Sequence, residues 1–221
     1  AGHLETPCGD GLDGVVESVA QHRREDVLAL AEPVGDIMHG IDYGILAYIA
    51  ETLRGGSLDP VMTVLSLMGN GGAVWIATAV LLLFFRKTRR AGVAMLLALA
   101  AGYVIGNLCI KELVMRPRPF VTHSDLTALL DPGDPWSFPS GHALSSFAAA
   151  TALCCFHRKT GVLALVLAAL IAFSRLYASV HYPTDVLAGA LLGVLIGLAA
   201  AALVDRVMDA LHTIRLRKGD K

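Results

Sequence analysis

The sequence predicts an all-α integral membrane protein: a helical bundle with about five transmembrane helices, preceded by N-terminal interfacial helices. Composition is the first reason, since 55% of the 221 residues are apolar and mean hydropathy is +0.60, too high for an ordinary soluble fold of this one-domain size. The second is the recurrence of uncharged runs approaching the ~20 residues that cross a hydrocarbon core. The third is the basic residues, which gather at alternate ends of those runs, as the positive-inside rule requires.

Residues 1–40 hold eight acids (Glu5, Asp10, Asp13, Glu17, Glu25, Asp26, Glu32 and Asp36) against Arg23 and Arg24, without a span. Val15, Val16 and Val19, then Val27, Leu28 and Leu30, suit short amphipathic helices. The apolar run at 41–53 is interrupted by Asp42 and Glu51 and is too short to cross; it reads as an interfacial helix. The N-terminal acidic region is thus placed at 1–56, the membrane domain at 57–205 and a basic cytoplasmic tail at 206–221.

Ser57-Leu58-Asp59-Pro60 restarts a helix with proline in its first turn. The first span is expected at 66–86, broken near Gly69-Asn70-Gly71-Gly72. Residues 91–110 make a second span of about 30 Å at ~1.5 Å per residue, and its Ala98, Gly102 and Gly106 recur every four residues, which favours close packing in lipid. The run at 143–156 is shorter and needs the turn from Ser140 to His142; 161–173 and 186–204 complete the set.

Eleven of the 18 Lys and Arg fall on one side of this arrangement: Arg86, Lys87, Arg89, Arg90, Arg158, Lys159, Arg206, Arg215, Arg217, Lys218 and Lys221. That side is expected to be cytoplasmic. The opposite face receives Lys111, Arg116, Arg118 and Arg175 with the acidic N-terminal region. Cations dispersed over span ends exclude a nucleic-acid-binding face. The four cysteines contain no C-x-x-C motif, and Cys154 and Cys155 read as small hydrophobes in an apolar run. Nothing in the sequence sets an oligomeric state.

Three stretches carry the chemistry. Ser174 to Asp185, SRLYASVHYPTD, lies between two spans and holds Arg175, His181 and Asp185, groups that are costly at membrane depth and mark a site there. Pro183 suits the first turn of the next helix and puts Asp185 within reach of His181. A carboxylate on one ring nitrogen orients an imidazole and steadies the charge that grows when the other attacks. Lys111 ends the second span, where a cation suits the helix dipole, and Pro117 and Pro119 hold the chain extended so that Arg118 turns back. Ser140 and Gly141 begin the third span, a helix N-terminus suited to an anion. Lys111, Arg118 and Arg175 bring three positive charges, whereas Asp185, the only carboxylate in these motifs, is committed to His181. That count favours phosphate, whose oxygens match the forked arginine donors, and opposes a metal dication, although His142, His181 and Asp185 have donor atoms for one.

These stretches resemble the three signatures of the type-2 phosphatidic acid phosphatase superfamily, the lipid phosphate phosphatases: a Lys, six residues and Arg-Pro; Pro-Ser-Gly-His; and Ser-Arg, five residues, His, three residues and Asp. The resemblance covers about 111–185 and leaves 1–56 outside. It implies a membrane enzyme, a metal-independent lipid phosphatase needing no cofactor. His181 would attack phosphorus and form a phosphohistidine, with Asp185 orienting it. Lys111, Arg118, Ser140, Gly141 and Arg175 would hold the phosphoryl oxygens, and His142 would protonate the leaving oxygen and then activate water. The implied substrate is a lipid phosphate in the bilayer, a polyprenyl diphosphate of the undecaprenyl type first, then phosphatidylglycerol phosphate or phosphatidic acid. The implied site faces the periplasmic side of the cytoplasmic membrane. A lipid phosphotransferase and a non-catalytic lipid-binding or transport protein are the alternatives.

Other residues read as structural. His22, His39, His123, His157 and His212 suit caps or satisfied polar groups. Arg116 faces headgroups or pairs with Glu112. Asn70, Trp75 and Trp136 suit a span break and the interfaces, and the loop 121–136 overhangs the site as a connector.

Overall fold

A computed structural model describes residues 38–219 of the chain. The amphipathic helices expected before residue 38, Cys8 and the last two residues lie outside that range. The chain forms two compact units, Ala1–Asp42 and Tyr43–Lys221, and every span found among the described residues belongs to the second. All regular structure among the described residues is helical, apart from one antiparallel bridge between Pro117 and Trp136.

All but the last residue of the run at 41–53 lies in helix α1, residues 38–52. Within the second unit its Leu46 packs with Leu126 and Tyr182, against the loop beyond the first signature. Helix α2, Leu58–Gly69, starts where Ser57-Leu58-Asp59-Pro60 predicts, and the span that includes it begins before residue 66. Asp59 in its first turn accepts hydrogen bonds from the Gly55 N–H at 2.9 Å and the Tyr177 hydroxyl at 2.5 Å, so a charged turn is absorbed at the helix start. A tight turn, Asn70–Gly72, then bends the rod into α3, Ala73–Leu83.

The second rod runs from Arg89 to Val114: α4, Arg89–Gly102, a π-helical stretch, Tyr103–Ile110, and α5, Lys111–Val114. After the short α6, Pro119–Thr122, come α7, Gly141–Phe156, α8, Arg158–Tyr177, and α9, Pro183–Gly219. Helix α8 extends beyond its apolar run at both ends and carries Arg175 in its last turn. Helix α9 continues through residues expected to form a separate tail.

Among the described residues four helical stretches are long and apolar enough to cross a membrane, and α7 is the shorter fifth. Its brevity follows from its place. Helix α7 packs against α4, α8 and α9 and buries a run of alanines, Ala148, Ala149, Ala150 and Ala152, so neighbouring helices rather than lipid surround it. Large side chains on the outer rods, among them Leu81, Leu97, Leu163 and Leu191, stay exposed as a lipid-facing surface requires. Trp75 is not an interface residue: it is buried, and its Nε1–H donates to Ser146 Oγ at 2.9 Å.

Small residues set the helix spacing. On α9, Gly189, Gly193 and Gly197 lie against α7, and a Cβ at Gly193 would meet the Leu144 carbonyl oxygen at 2.5 Å. Gly102 and Gly106 accept the Leu144 side chain in the same way. At the end away from the signatures, Arg90 pairs with Asp205 at 2.8 Å and Asp209 at 2.7 Å, which joins the start of α4 to the far half of α9.

Gly193→Ala should therefore destabilise the bundle by about 1–3 kcal/mol, the usual cost of overpacking, read as a lower melting temperature in detergent. Gly44→Ala, at a helical position with nothing within 4 Å of the added carbon, should leave the melting temperature unchanged or raise it. Equal melting of the two variants would contradict this packing.

Candidate active site

The first signature closes the second rod. Met115 adopts a left-handed φ of 46° and ends α5, and Arg118 is extended ahead of Pro119. Arg118 is buried. Its Nη1 donates to the Val180 carbonyl at 2.7 Å, its Nε to the Asp134 carbonyl at 2.8 Å and its Nη2 to Asp134 Oδ1 at 2.9 Å. Lys111 Nζ lies 3.2 Å from Asp134 Oδ2. Burial would raise the Asp134 carboxyl, but Lys111 and Arg118 outweigh it and hold the group below the ordinary carboxylate value. Burial likewise lowers the Arg118 guanidinium, with Asp134 opposing.

Ser140 caps α7, its Oγ accepting from the Ala143 N–H at 3.5 Å, and its own N–H donates to the Asp185 carbonyl at 3.1 Å. The starts of α7 and α9 are thereby tied together. His142, in the first turn, has Nε2 at 2.9 Å from Asn70 Oδ1.

In the third signature, Ser174 Oγ donates to the Ile171 carbonyl at 2.7 Å, within α8. Arg175 hydrogen-bonds Ser66 through Nη1, while its buried Nε has no hydrogen-bond partner among the described residues. Ser179, at a left-handed φ of 52°, turns the chain so that His181 enters the core. The His181 Nδ1–H donates to the Ser137 carbonyl at 2.7 Å, and Asp185 Oδ2 stands 3.7 Å from the same nitrogen. Nε2 is thus the nitrogen that carries the lone pair, and it accepts from the Arg118 Nη1–H at 3.5 Å. Burial lowers the His181 imidazole to about 4, with the Arg118 and Arg175 charges acting the same way and Asp185 opposing.

Lys111, Arg118, Gly141, His142, Arg175 and His181 all line one cavity of about 540 Å³. Ser140 and Asp185, also expected at the site, are fully buried behind its wall. The same cavity continues past Asn70 and Asn107 to Ile76, Leu96, Leu99 and Leu144. One end can therefore hold an anion and the other an apolar chain.

The structure corrects four sequence readings. Asp134, absent from the charge count, contacts Lys111 and Arg118 and cuts the excess of the three cations from three charges to two. Asp185 is not committed to His181 alone: Oδ1 accepts from Arg116 Nη1 at 2.7 Å and Oδ2 from the Tyr182 N–H at 2.9 Å. Arg116 turns inward, away from any headgroup role, with its guanidinium carbon 3.9 Å from the Tyr182 ring centre. Asn70 does more than break a span, because it touches His142. Of these, Asp134 left a trace in the sequence, as one of two acids in the Asp131-Pro-Gly-Asp134-Pro run; the Ser137 carbonyl, being backbone, left none.

The sequence model of the PAP2 superfamily matches residues 91–209, a segment that contains all three signatures. The chain belongs to the PAP2 superfamily. An undecaprenyl-diphosphatase of Sulfolobus acidocaldarius is 37% identical over 139 residues, 62% of this chain and 66% of that protein. The PAP2 chain spans roughly half to two thirds of the length of the first curated relatives it matches. A PAP2-type phosphatidylglycerolphosphate phosphatase from Bacillus subtilis superposes with a TM-score of 0.67 at 27% identity, over 81% of this chain and 92% of that one. Aquifex aeolicus LpxE superposes with a TM-score of 0.62 at 29% identity, over 71% and 92%. The superfamily match begins after α3, so Ser66 and Asn70 contact the PAP2 site from outside it.

Asp134→Asn should free Lys111 and Arg118 for an incoming anion. Orthovanadate or inorganic phosphate should then bind about tenfold more tightly by calorimetry, since a competing charge is removed next to the cations. Weaker binding would mean that Asp134 serves to hold the two cations in place.

Proposed function

We propose that the protein is a membrane lipid phosphatase that removes the terminal phosphate of a polyprenyl diphosphate through a phosphohistidine intermediate. The observation that carries this reading is the lone pair of His181 Nε2, placed 3.5 Å from a buried guanidinium at the cationic end of a cavity whose other end is apolar. A phosphoryl group answers the charge, and an isoprenoid chain suits the apolar lining. The names of the Sulfolobus and Bacillus proteins support a lipid phosphate, with the diphosphate favoured by the excess of cations.

In the first half-reaction, Nε2 attacks phosphorus. The P–N bond forms as the P–O bond to the lipid phosphate breaks, and His142 gives its proton to the leaving oxygen. Lys111, Arg118, Arg175 and the N–H groups at the start of α7 neutralise the phosphoryl oxygens, the electrostatic work that dominates such transfers. The Ser137 carbonyl keeps the proton on Nδ1. Asp185, held by Arg116, lies close enough to stabilise the cationic phosphoimidazole. In the second half-reaction His142 takes a proton from water, the hydroxyl attacks phosphorus, the P–N bond breaks and inorganic phosphate leaves. The site belongs to the face opposite Arg86–Arg90 and Arg158–Lys159, the periplasmic side of the cytoplasmic membrane in this reading.

The purified chain in detergent should release inorganic phosphate from undecaprenyl diphosphate faster than from phosphatidylglycerol phosphate or phosphatidic acid, with no loss on chelation. His181→Ala should reduce turnover by at least about 10³-fold, and acid-labile, base-stable phosphate should be trapped on the wild-type protein. Full turnover in His181→Ala would sink the reading, and transfer of label to a lipid acceptor without free phosphate would make the protein a phosphotransferase.

The pH dependence follows from the lowered His181 value. Because the group stays neutral until the pH falls to about 4, the nucleophile is present throughout the neutral range and is lost only below that value. After correction for substrate ionisation, the acid limb of kcat/KM should lie near pH 4 and not near the ordinary histidine value of ~6.5. A limb at the ordinary value would remove His181 from the nucleophile role.

A further inference from the structure

Asn70 lies outside the superfamily match, yet the backbone is shaped to bring it to the site. Helix α2 stops at Gly69, and Gly71 and Gly72 take left-handed φ values of 57° and 69°, a conformation that most side chains resist. Gly69 leaves no room for a Cβ, which would meet His142 Cδ2 at 2.6 Å. The broken rod therefore rests on the imidazole itself. Within the Asn-Gly-Gly turn, Asn70 is the one residue whose side chain can hydrogen-bond, and its Oδ1 is 2.9 Å from His142 Nε2. The Asn70 N–H turns to the Leu67 carbonyl, leaving the Ser66 carbonyl to face the same ring. Both acceptors come from the end of α2 and the turn that follows it.

We propose that Asn70 is a positioning residue for His142: its oxygen accepts the Nε2–H and so selects the tautomer that leaves Nδ1 as the proton-exchanging nitrogen. The inference rests on the acid–base role given to His142 above. An amide oxygen can hold Nε2–H whether or not Nδ1 carries a proton, so the ring keeps one orientation while Nδ1 gives a proton to the leaving oxygen and later takes one from water. A carboxylate in the same place would favour the imidazolium and hinder the first of those transfers. The neutral amide adds no charge to a ring that already faces Arg175, His181 and Lys111.

Steady-state kinetics on the full chain in detergent, with undecaprenyl diphosphate as substrate, test this. Asn70→Ala should lower kcat by about 10- to 100-fold with KM within about twofold, a part of what a general acid–base contributes. Asn70→Asp keeps an acceptor of the same shape. It should keep the Nε2–H tautomer yet leave kcat below wild type, because the carboxylate hinders proton release, and it should move a limb of the kcat–pH profile upward by about one unit. In a His142→Ala background, Asn70→Ala should cost nothing further, since a residue acting through another has no independent effect once that one is gone. Losses that multiply in the double variant, an unshifted Asn70→Asp profile, or wild-type kcat in Asn70→Ala would each overturn the inference. If the wild-type chain releases no phosphate, the lipid phosphatase reading fails, and nitrogen NMR of His142 still decides this one. The Nε2–H tautomer should dominate in wild type and mix with the other in Asn70→Ala; identical spectra would overturn the assignment.

Discussion

Four cations are drawn into one end of the bundle, and the arrangement of the site follows from how their charge is offset. Burying an ion costs several kcal/mol unless it is paired. Arg116 is answered by Asp185, and Lys111 and Arg118 share Asp134. Among the described residues Arg175 has only the hydroxyl of Ser66, with its Nε unmatched. The two carboxylates are not equivalent. Asp185 has no exposed side-chain surface and is built into the first turn of α9, whereas the Asp134 side chain is 41% exposed on a connector. The first is a permanent part of the protein interior, while the second occupies the edge of the cavity, where an anionic substrate would compete for the same cations. The remaining excess of positive charge gives such a substrate its advantage.

That cluster can be held together only because the helices beneath it approach closely. The glycines of α9 bring its backbone onto that of α7, and the Ser140 N–H reaches the Asp185 carbonyl at the top of the same contact. Helix α7, enclosed by α4, α8 and α9, begins beside the end of α2. His142 in its first turn meets residues 69 and 70, about 16 Å along α2 from Leu58 at ~1.5 Å per residue. The shortness of α7 and the recess of the site are one fact. A lipid headgroup can enter such a recess while its chain remains among apolar walls.

Much of this was legible because it is written locally. Span placement follows from composition, the start of α7 from Ser140-Gly141-His142, and the turn into α9 from Pro183 ahead of Asp185. The signatures predict that Lys111, Arg118, Arg175, His142 and His181 converge, and all five line one cavity. What could not be read depends on residues far apart in the chain or on backbone atoms. Arg116 reaches Asp185 across 69 positions and His142 reaches Asn70 across 72, and neither residue type declares its partner. The Ser137 carbonyl has no side-chain signature at all. Trp75 was misread because a tryptophan in a span suits an interface by type, and only Ser146 on α7, 71 residues away, draws it inside. The extra residues of α8 and α9 escaped because helix continuation past an apolar run depends on packing and capping rather than hydropathy.

The two imidazoles are suspended differently, and the difference matches the work proposed for each. His181 is buried at the cavity wall, its Nδ1–H held by a backbone carbonyl with a carboxylate close behind. A nucleophile needs that surrounding, because it must be neutral before attack and tolerable as a cation once the P–N bond has formed. His142 faces the cavity from a helix start, and its hydrogen bond is to a neutral amide. A group that must release a proton and regain it within one turnover is poorly served by a permanent counter-charge, which would trap it in the cationic state. Exchanging the two partners would impair both steps, so the placement of a carboxylate beside one ring and an amide beside the other distinguishes the roles more sharply than the positions of the rings alone.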